Sequence, residues 1–294
     1  MTGAPLVVGV DVGGTSVKGL LLDAGGRAAR ELRVRTPAPD PTGTQVVEAV
    51  ADVVAQLTAR ADPDVPVGVV VPGIVDEHRG TAVQSVNIGW RDLPLRELLQ
   101  TRLDRRVALG HDVRAGAVAE ARTGAARGAE GVVAFVAVGT GIAAAVLVDG
   151  VPVVAGGWAG EVGQRVLVHG PFAGLRVEQV GSARATAVRA GEPHARAVAD
   201  RVRAGDAAAR AVWQETVDVL ADVLVDLVVT VAPSAIVLGG GLALAGDVLL
   251  DPLRAALGPR VAGLRAPHLV VAAHGDTAAA RGAALLAQDL AVGS

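Results

Sequence analysis

The chain has 294 residues, enough for two domains of ordinary size, and a net charge of −3. This charge gives no sign of a surface for nucleic acids or for acidic membranes. Cysteine is absent from the sequence, which excludes disulfides, thiolate metal sites and a cysteine nucleophile.

The first predicted element is a buried strand over residues 5–10, which runs into Asp11-Val12-Gly13-Gly14-Thr15. Glycines let the backbone approach a polyphosphate with its N–H groups pointing inward. The carboxylate would act on phosphate only through a metal ion or its waters. A plain Gly-Gly hairpin turn is the alternative. The second strand, over 16–23, carries Lys18, the only lysine, which either steers polyphosphate or points to solvent.

The rest of the first half alternates between strands and helices. Strands are predicted over 28–35, 65–71 and 107–109, and helices over 42–60, 94–104 and 113–124. Either Thr42 or Thr44 is expected to cap the helix over 42–60.

The second half repeats this scheme. Strands are predicted over 131–138, 142–148, 151–154, 235–238 and 268–272, and helices over 194–204, 206–231, 246–257 and 276–290. The uncharged run Gly131 to Val148 is long enough to span a membrane, but the glycine turn at its centre favours two buried strands. Because the first residues show no signal-peptide pattern, we expect a cytoplasmic protein.

Each half thus contains a strand, a glycine turn and a second strand, followed by helices. This repetition predicts a duplicated α/β fold with ligands in a cleft between the halves. We expect one domain to comprise residues 1–112 with the C-terminal helix 276–294, and the other to comprise 113–275.

Two further motifs lie between the glycine turns, His111-Asp112 and Gly160-Glu161-Val162-Gly163. In this order, the motifs resemble those of the ROK family of bacterial sugar kinases and repressors, over essentially the whole chain. The family belongs to the actin-like ATPase superfamily. The resemblance therefore implies a two-domain α/β fold of the ribonuclease H-like type, with duplicated mixed sheets flanked by helices and an interdomain cleft.

The resemblance also implies that three glycine turns bind ATP, with Asp11 acting through Mg²⁺. The residues concerned are Asp11, Gly13, Gly14, Thr15, Gly139, Thr140, Gly141, Gly239, Gly240 and Gly241. For the second turn the alternative is a simple β-turn, and for the third it is a loop or the end of a helix.

On the acceptor side, Asp112 aligns with the general base of the family, although it could instead be the N-cap of the following helix. Carboxylates suit sugar binding because one group accepts hydrogen bonds from two adjacent hydroxyls. The resemblance implies sugar contacts at the following positions: Asn87, His111, Asp112, Glu161, Gln164 and Glu178. Asn87 could equally be a turn residue.

The chain departs from the family at several of these positions. His111 replaces an asparagine, and Gln164 replaces a histidine that binds sugar and, in many relatives, zinc. The cysteine cluster that follows is missing, and a single imidazole, His169, cannot hold tetrahedral zinc. We therefore expect no structural zinc, with apolar packing by Phe172 and its neighbours supporting the loop. The alanines Ala143-Ala144 after the second turn could narrow the phosphate site.

The resulting expectation is an ATP-dependent hexose kinase with a glucose-like acceptor that is phosphorylated at O6, in a homodimer without nucleic-acid or membrane partners. One alternative is a sugar-sensing relic with weak catalysis, and another is a kinase that uses polyphosphate as its donor. A repressor is disfavoured because no helix-turn-helix precedes the first glycine turn and no basic helix pair occurs.

Overall fold

The computed structural model describes residues 6–61 and 64–292. Within them, the strands are β1 Val7–Val12, β2 Ser16–Leu22, β3 Ala28–Arg35, β4 Val67–Val71, β5 Ile74–Asp76, β6 Thr81–Ser85, β7 Trp90–Leu93, β8 Val107–His111, β9 Val132–Val138, β10 Ile142–Val148, β11 Val151–Pro152, β12 Ala235–Gly239 and β13 His268–Val271. The helices are α1 Thr44–Thr58, α2 Leu95–Leu103, α3 Asp112–Thr123, α4 Val177–Gly181, α5 Ala183–Arg189, α6 Ala195–Arg203, α7 Ala207–Val231, α8 Asp247–Arg260 and α9 Ala278–Val292.

The chain forms two units. The first extends to Ala119 and also includes Val154–Ala159 and the segment from Thr277, whereas the second comprises Glu120–Val153 and Gly160–Asp276. The sequence-based division assigned residues 113–119 and 154–159 to the second domain. In the structure they lie with the first unit, because Arg114 of α3 donates a hydrogen bond to the carbonyl of Val75 at 2.9 Å and Gly157 lies against the same residue.

The first unit has a five-stranded mixed sheet in the order β3-β2-β1-β4-β8. Strands β3, β2 and β1 are antiparallel, while β1, β4 and β8 are parallel. Helix α1 packs on one face, where Val8, Val10 and Val12 of β1 belong to the same core cluster as the buried face of α1. Side chains alternate along a strand, so the intervening residues face the other side, which α9 covers.

Helix α9 lies unusually close to this sheet. Gly9 and Gly68 are neighbours in the β1–β4 ladder, and a Cβ at either would sit 1.9 Å from a carbonyl oxygen of α9. Gly282 of α9 is equally close to α3, with its Cβ position 2.0 Å from the carbonyl oxygen of Ala115. These glycines therefore allow the helix to pack backbone against backbone.

The second unit repeats the arrangement, with its sheet in the order β11-β10-β9-β12-β13. Again the first three strands of the order are antiparallel, and β9, β12 and β13 are parallel. Helices α6, α7 and α8 contribute to its core. The uncharged run around the second glycine turn forms the hairpin β9–β10, as predicted, and no helix in the described part of the chain is long and apolar enough to cross a membrane.

Two local features differ from the sequence-based expectation. The N-cap position of helix α1 is Gly43 rather than Thr42 or Thr44; Thr42 Oγ1 accepts the N–H of Thr44 at 3.4 Å, and the buried Asp40 accepts that of Val46 at 2.9 Å. Residues 74–93, for which no strand was predicted, form a separate three-stranded sheet, β5-β6-β7. Its strands are too short for a periodic pattern to identify them.

Candidate active site

The first glycine turn joins β1 to β2. The N–H of Gly13 donates to the carbonyl of Ser16 at 2.9 Å, and the hydroxyl of Thr36 donates to the carbonyl of Gly13 at 2.6 Å. Gly14 and Thr15 at its tip are exposed. The turn is thus a hairpin that the hydrogen bond from Thr36 stabilises, and its exposed tip is accessible to a ligand.

Asp11 and Lys18 are direct cross-strand neighbours beside this turn. The Asp11 side chain is half-buried, whereas Lys18 is only 4% exposed. The alternative in which Lys18 points to solvent is therefore wrong. Strand β2 is buried on both faces, so no alternation in its sequence distinguishes the solvent side.

Asn87 lies in the exposed turn between β6 and β7. Its Cβ is 3.5 Å from the position that a Cβ on Gly14 would take. The structure therefore places Asn87 beside the first glycine turn, with its amide accessible.

The second glycine turn joins β9 to β10 and is also a tight hairpin. Gly139 donates its N–H to the carbonyl of Gly141 at 2.9 Å and accepts the N–H of Ala183, the first residue of α5, at 2.9 Å. Thr140 is exposed, and a Cβ on Gly139 would meet no atom within 4 Å. The tip of this turn at Thr140 is therefore accessible to a ligand.

The third glycine turn has a mainly structural explanation. A Cβ on Gly239 would lie 2.4 Å from the ring of Phe135, and one on Gly240, which has φ of 81°, would lie 2.5 Å from the carbonyl oxygen of Val138. Only Gly241 faces open space within 4 Å. Internal packing therefore requires glycine at 239 and 240 but not at 241, and the binding of ATP by this turn stays a prediction.

Asp112 stands at the junction of β8 and α3. Its Oδ1 accepts the N–H of the next residue, Val113, at 2.7 Å and lies 3.2 Å from Nε2 of His111. Burial raises the pKa of its carboxyl to about 6, against the lowering effects of the Val113 N–H and the charge of Arg114. The side chain remains 27% exposed, so it is partly open to solvent.

The N-cap position of α3 is occupied by His111 rather than by Asp112. Its Nδ1 accepts the N–H of Arg114, three residues on, at 3.4 Å. Nε2 lies 3.2 Å from Oδ1 of Asp112, and the residue is only 5% exposed. The imidazole therefore presents little surface to a sugar hydroxyl, and the sugar contact expected of His111 stays a prediction.

The structure adds two residues that the sequence did not reveal, Glu77 and Arg114. Arg114, 2% exposed, donates from Nε to Oε1 of Glu77 at 2.9 Å. The same oxygen accepts the backbone N–H of His111 at 3.0 Å. Arg114 also donates from Nη1 to the carbonyl of Gly157 at 3.5 Å. No local pattern links Glu77 to residues more than thirty positions away, so sequence reasoning had no signal for this network.

In the second unit, the Gly160-Glu161-Val162-Gly163 segment lies across β10. A Cβ on Gly160 would be 1.9 Å from the carbonyl oxygen of Ala144, and one on Gly163 would be 2.2 Å from that of Ile142. These close contacts explain the glycines on both sides of the half-buried Glu161. Ala144 is buried in the β10 core and Ala143 is half-buried, and a narrowing of the phosphate site by these alanines stays a prediction.

Gln164 links two charged side chains. Its Nε2 donates to Oε1 of Glu178 at 2.9 Å, and its Oε1 accepts Nη1 of Arg176 at 2.7 Å. The other carboxylate oxygen of Glu178 lies 2.8 Å from the Cβ position of Gly141. The structure therefore brings Gln164, Glu178 and the second glycine turn together.

The loop between Gln164 and Glu178 is closed by backbone hydrogen bonds, with Leu167 donating to the carbonyl of Leu175 at 2.8 Å. Phe172 packs against the core under the guanidinium of Arg189, as expected, whereas Leu175 remains 41% exposed. His169 is exposed, and among the described residues no cluster of three or more metal-ligating side chains occurs. The donor set of this loop does not fit zinc.

The ROK family model matches residues 7–290 of the chain. The glucokinase of Streptomyces coelicolor is 31% identical over 280 residues, which cover 85% of this chain and 86% of that protein.

Two solved structures are similar over nearly their whole length. The ROK glucokinase of Streptomyces griseus, in complex with glucose and AMPPNP, is 29% identical with a TM-score of 0.84, and the alignment covers 97% of this chain and 99% of that one. The inorganic polyphosphate/ATP-glucomannokinase of Arthrobacter sp. strain KM is 31% identical with a TM-score of 0.75, covering 99% and 100%. The fold is thus the two-domain α/β fold of actin-like ATPases, as the motifs predicted.

Proposed function

The chain belongs to the ROK family, and on this basis we propose that it is a sugar kinase that transfers the terminal phosphate of ATP to a hexose hydroxyl, with a glucose-like acceptor and O6 as the reacting oxygen. Its similarity to a glucokinase solved with glucose and AMPPNP supports this choice of acceptor and donor.

The arrangement of Asp112 carries the proposal. The N–H of Val113 donates to Oδ1 at 2.7 Å and Nε2 of His111 lies 3.2 Å from the same oxygen, so we assign the role of proton acceptor to Oδ2. A pKa of about 6 makes the carboxylate a stronger base than an ordinary aspartate while keeping it largely ionised at neutral pH. Phosphoryl transfer needs little more from the protein than such a base, an oriented hydroxyl and cations on the phosphates.

We assign the sugar-binding roles to Glu161, Glu178 and Asn87. Each is half-buried or exposed and presents oxygens or an amide that can bind hydroxyls. Gln164 holds Glu178 in place and contacts the sugar through its remaining hydrogen-bonding capacity. A homodimer stays a prediction.

For the donor, the exposed tips of the first two turns, at Gly14, Thr15 and Thr140, and Gly241 of the third turn offer backbone N–H groups for phosphate oxygens. Asp11 fits Mg²⁺, which typically takes one or two carboxylates together with substrate phosphates and waters. When bound, the ion would neutralise charge on the transferring phosphate. The similar glucomannokinase is named for both polyphosphate and ATP, so polyphosphate is a second candidate donor.

Activity should depend on pH through Asp112. Because the protonated carboxyl cannot accept a proton, kcat/KM should fall as the pH drops below about 6, by about tenfold per pH unit. Initial rates between pH 4.5 and 8.5, with circular dichroism at each pH to exclude unfolding, check this. An acid limb with a midpoint near 4 would indicate an unperturbed carboxylate and contradict the assignment.

Gln164 should support the sugar site without any zinc. Gln164→Ala removes both hydrogen bonds to Arg176 and Glu178, so we expect the KM for the sugar to rise about 2- to 10-fold with little change in kcat. Gln214→Ala, an exposed glutamine on α7, is the matched control. If a zinc chelator reduced activity of the unmodified protein as strongly as the substitution does, a metal rather than Gln164 would support the loop.

The function is tested by a coupled ADP-release assay with Mg-ATP against a panel of hexoses and hexosamines, together with a parallel assay using polyphosphate. Turnover that depends on one sugar supports a kinase. Failure with every sugar and both donors, with folded protein, would instead favour a sugar-sensing relic.

A further inference from the structure

The contacts of His111 indicate its tautomer. The backbone N–H of Arg114 points at Nδ1 at 3.4 Å, which favours an unprotonated, accepting Nδ1. Burial, followed by the positive charge of Arg114, lowers the pKa of the imidazole to about 3, while Glu77 opposes this. A neutral ring with an accepting Nδ1 carries its proton on Nε2, the nitrogen 3.2 Å from Oδ1 of Asp112.

The ring is fixed by the network behind it. Glu77 accepts the backbone N–H of His111 and also the Nε of Arg114, so one carboxylate oxygen holds both residues. Arg114 is fixed in turn by its hydrogen bond to the carbonyl of Val75. With the side chain of His111 only 6% exposed, the imidazole has little room to rotate.

We propose that His111 is a positioning residue for Asp112, donating from Nε2 to Oδ1 so that Oδ2 faces the sugar hydroxyl, and that it does not bind the sugar itself. This inference rests on the proposed function, in which Asp112 is the base. The hydrogen bond from Val113 and the approach of His111 Nε2 to 3.2 Å both fall on Oδ1, and together they would hold the plane of the carboxylate. Burial and the charge of Arg114 keep the ring neutral against the opposing effect of Glu77.

Two substitutions separate this role from helix capping. An asparagine side chain approximates Nδ1 of histidine, so His111→Asn keeps an acceptor for Arg114 but loses the donor to Asp112. A glutamine side chain approximates Nε2, so His111→Gln keeps the donor. We expect His111→Asn to lower kcat about 10- to 100-fold, the usual effect of a hydrogen bond to a charged group, with the sugar KM unchanged. His111→Gln should recover most of kcat.

The pH profile supplies a second readout. Because the lost donor stabilised the ionised carboxylate, the acid limb of His111→Asn should lie at higher pH than that of His111→Gln. His194 caps α6 in the same way, with Nδ1 accepting the N–H of Ala197 at 3.1 Å, so His194→Asn is the matched control and should leave kcat unchanged. Equal kcat in both His111 variants, or a raised sugar KM with normal kcat, would overturn the proposal.

Nitrogen NMR distinguishes failure of this inference from failure of the proposed function. In ¹⁵N-histidine-labelled protein, with His111 assigned from the spectrum of His111→Gln, the ring should show the neutral Nε2–H tautomer between pH 5 and 8. This result does not require turnover. A charged ring or an Nδ1–H tautomer would overturn the proposal even in an active kinase, and absence of turnover with the expected tautomer would reject only the function.

Discussion

Asp112→Asn is expected to lower kcat for sugar phosphorylation by about 10²- to 10⁴-fold, the usual contribution of a general base. The amide keeps the shape of the carboxylate and can still accept the N–H of Val113, but it cannot take up a proton. Sugar affinity should therefore remain within a few-fold of that of the unmodified protein. Steady-state kinetics and calorimetric titration with the sugar measure the two effects separately.

Asp251→Asn is the matched control for this substitution, because Asp251 is exposed and, among the residues that the structure describes, pairs only with Arg254 three positions on. Its kcat should be unchanged. Near-normal turnover in Asp112→Asn would show that another group accepts the proton. Loss of both turnover and sugar affinity would instead place Asp112 among the groups that bind substrate in the ground state.

The second large effect is on stability. Gly68→Ala would put a methyl carbon 1.9 Å from the carbonyl oxygen of Ala283 in α9, and the obstacle is backbone that cannot move aside alone. Helix α9 would have to shift from the sheet, so we expect the free energy of unfolding to fall by about 1–3 kcal/mol or more. Chemical denaturation followed by circular dichroism measures this change.

Gly139→Ala is the control, because a Cβ there meets no atom within 4 Å. It should change the free energy of unfolding by less than about 0.5 kcal/mol, as for most surface substitutions. Any loss of turnover in this variant would then report on the second glycine turn rather than on folding. If Gly68→Ala were as stable as the control, the close packing of α9 on β1 and β4 would be wrong.

The duplicated fold was predictable because its signals are local. The strand–glycine turn–strand unit occurs twice in the sequence, around Gly13-Gly14 and around Gly139-Thr140-Gly141. Each turn marks the end of one strand and the start of the next. The structure confirms both hairpins and the matching order of the two sheets. Such patterns can be read from the sequence because hairpin geometry depends on a few adjacent residues.

The features that the sequence did not reveal depend on contacts distant in the chain. The buried position of Lys18 could not be recognised because β2 lacks alternation. Likewise, the motif around His111-Asp112 identified a candidate base but not the Glu77–Arg114 network that holds the imidazole. The close packing at Gly239 and Gly240 was likewise not apparent, because glycines required by packing look the same in sequence as glycines that admit a ligand.

The central claim is that the phosphate goes to a sugar, and the most direct measurement is ³¹P NMR of a reaction with Mg-ATP and glucose or the best acceptor of the panel. We expect equal amounts of ADP and of a hexose phosphate ester, with the phosphorus coupled to the protons on C6. ADP accompanied only by inorganic phosphate would show ATP hydrolysis without transfer and would contradict the proposed sugar kinase activity.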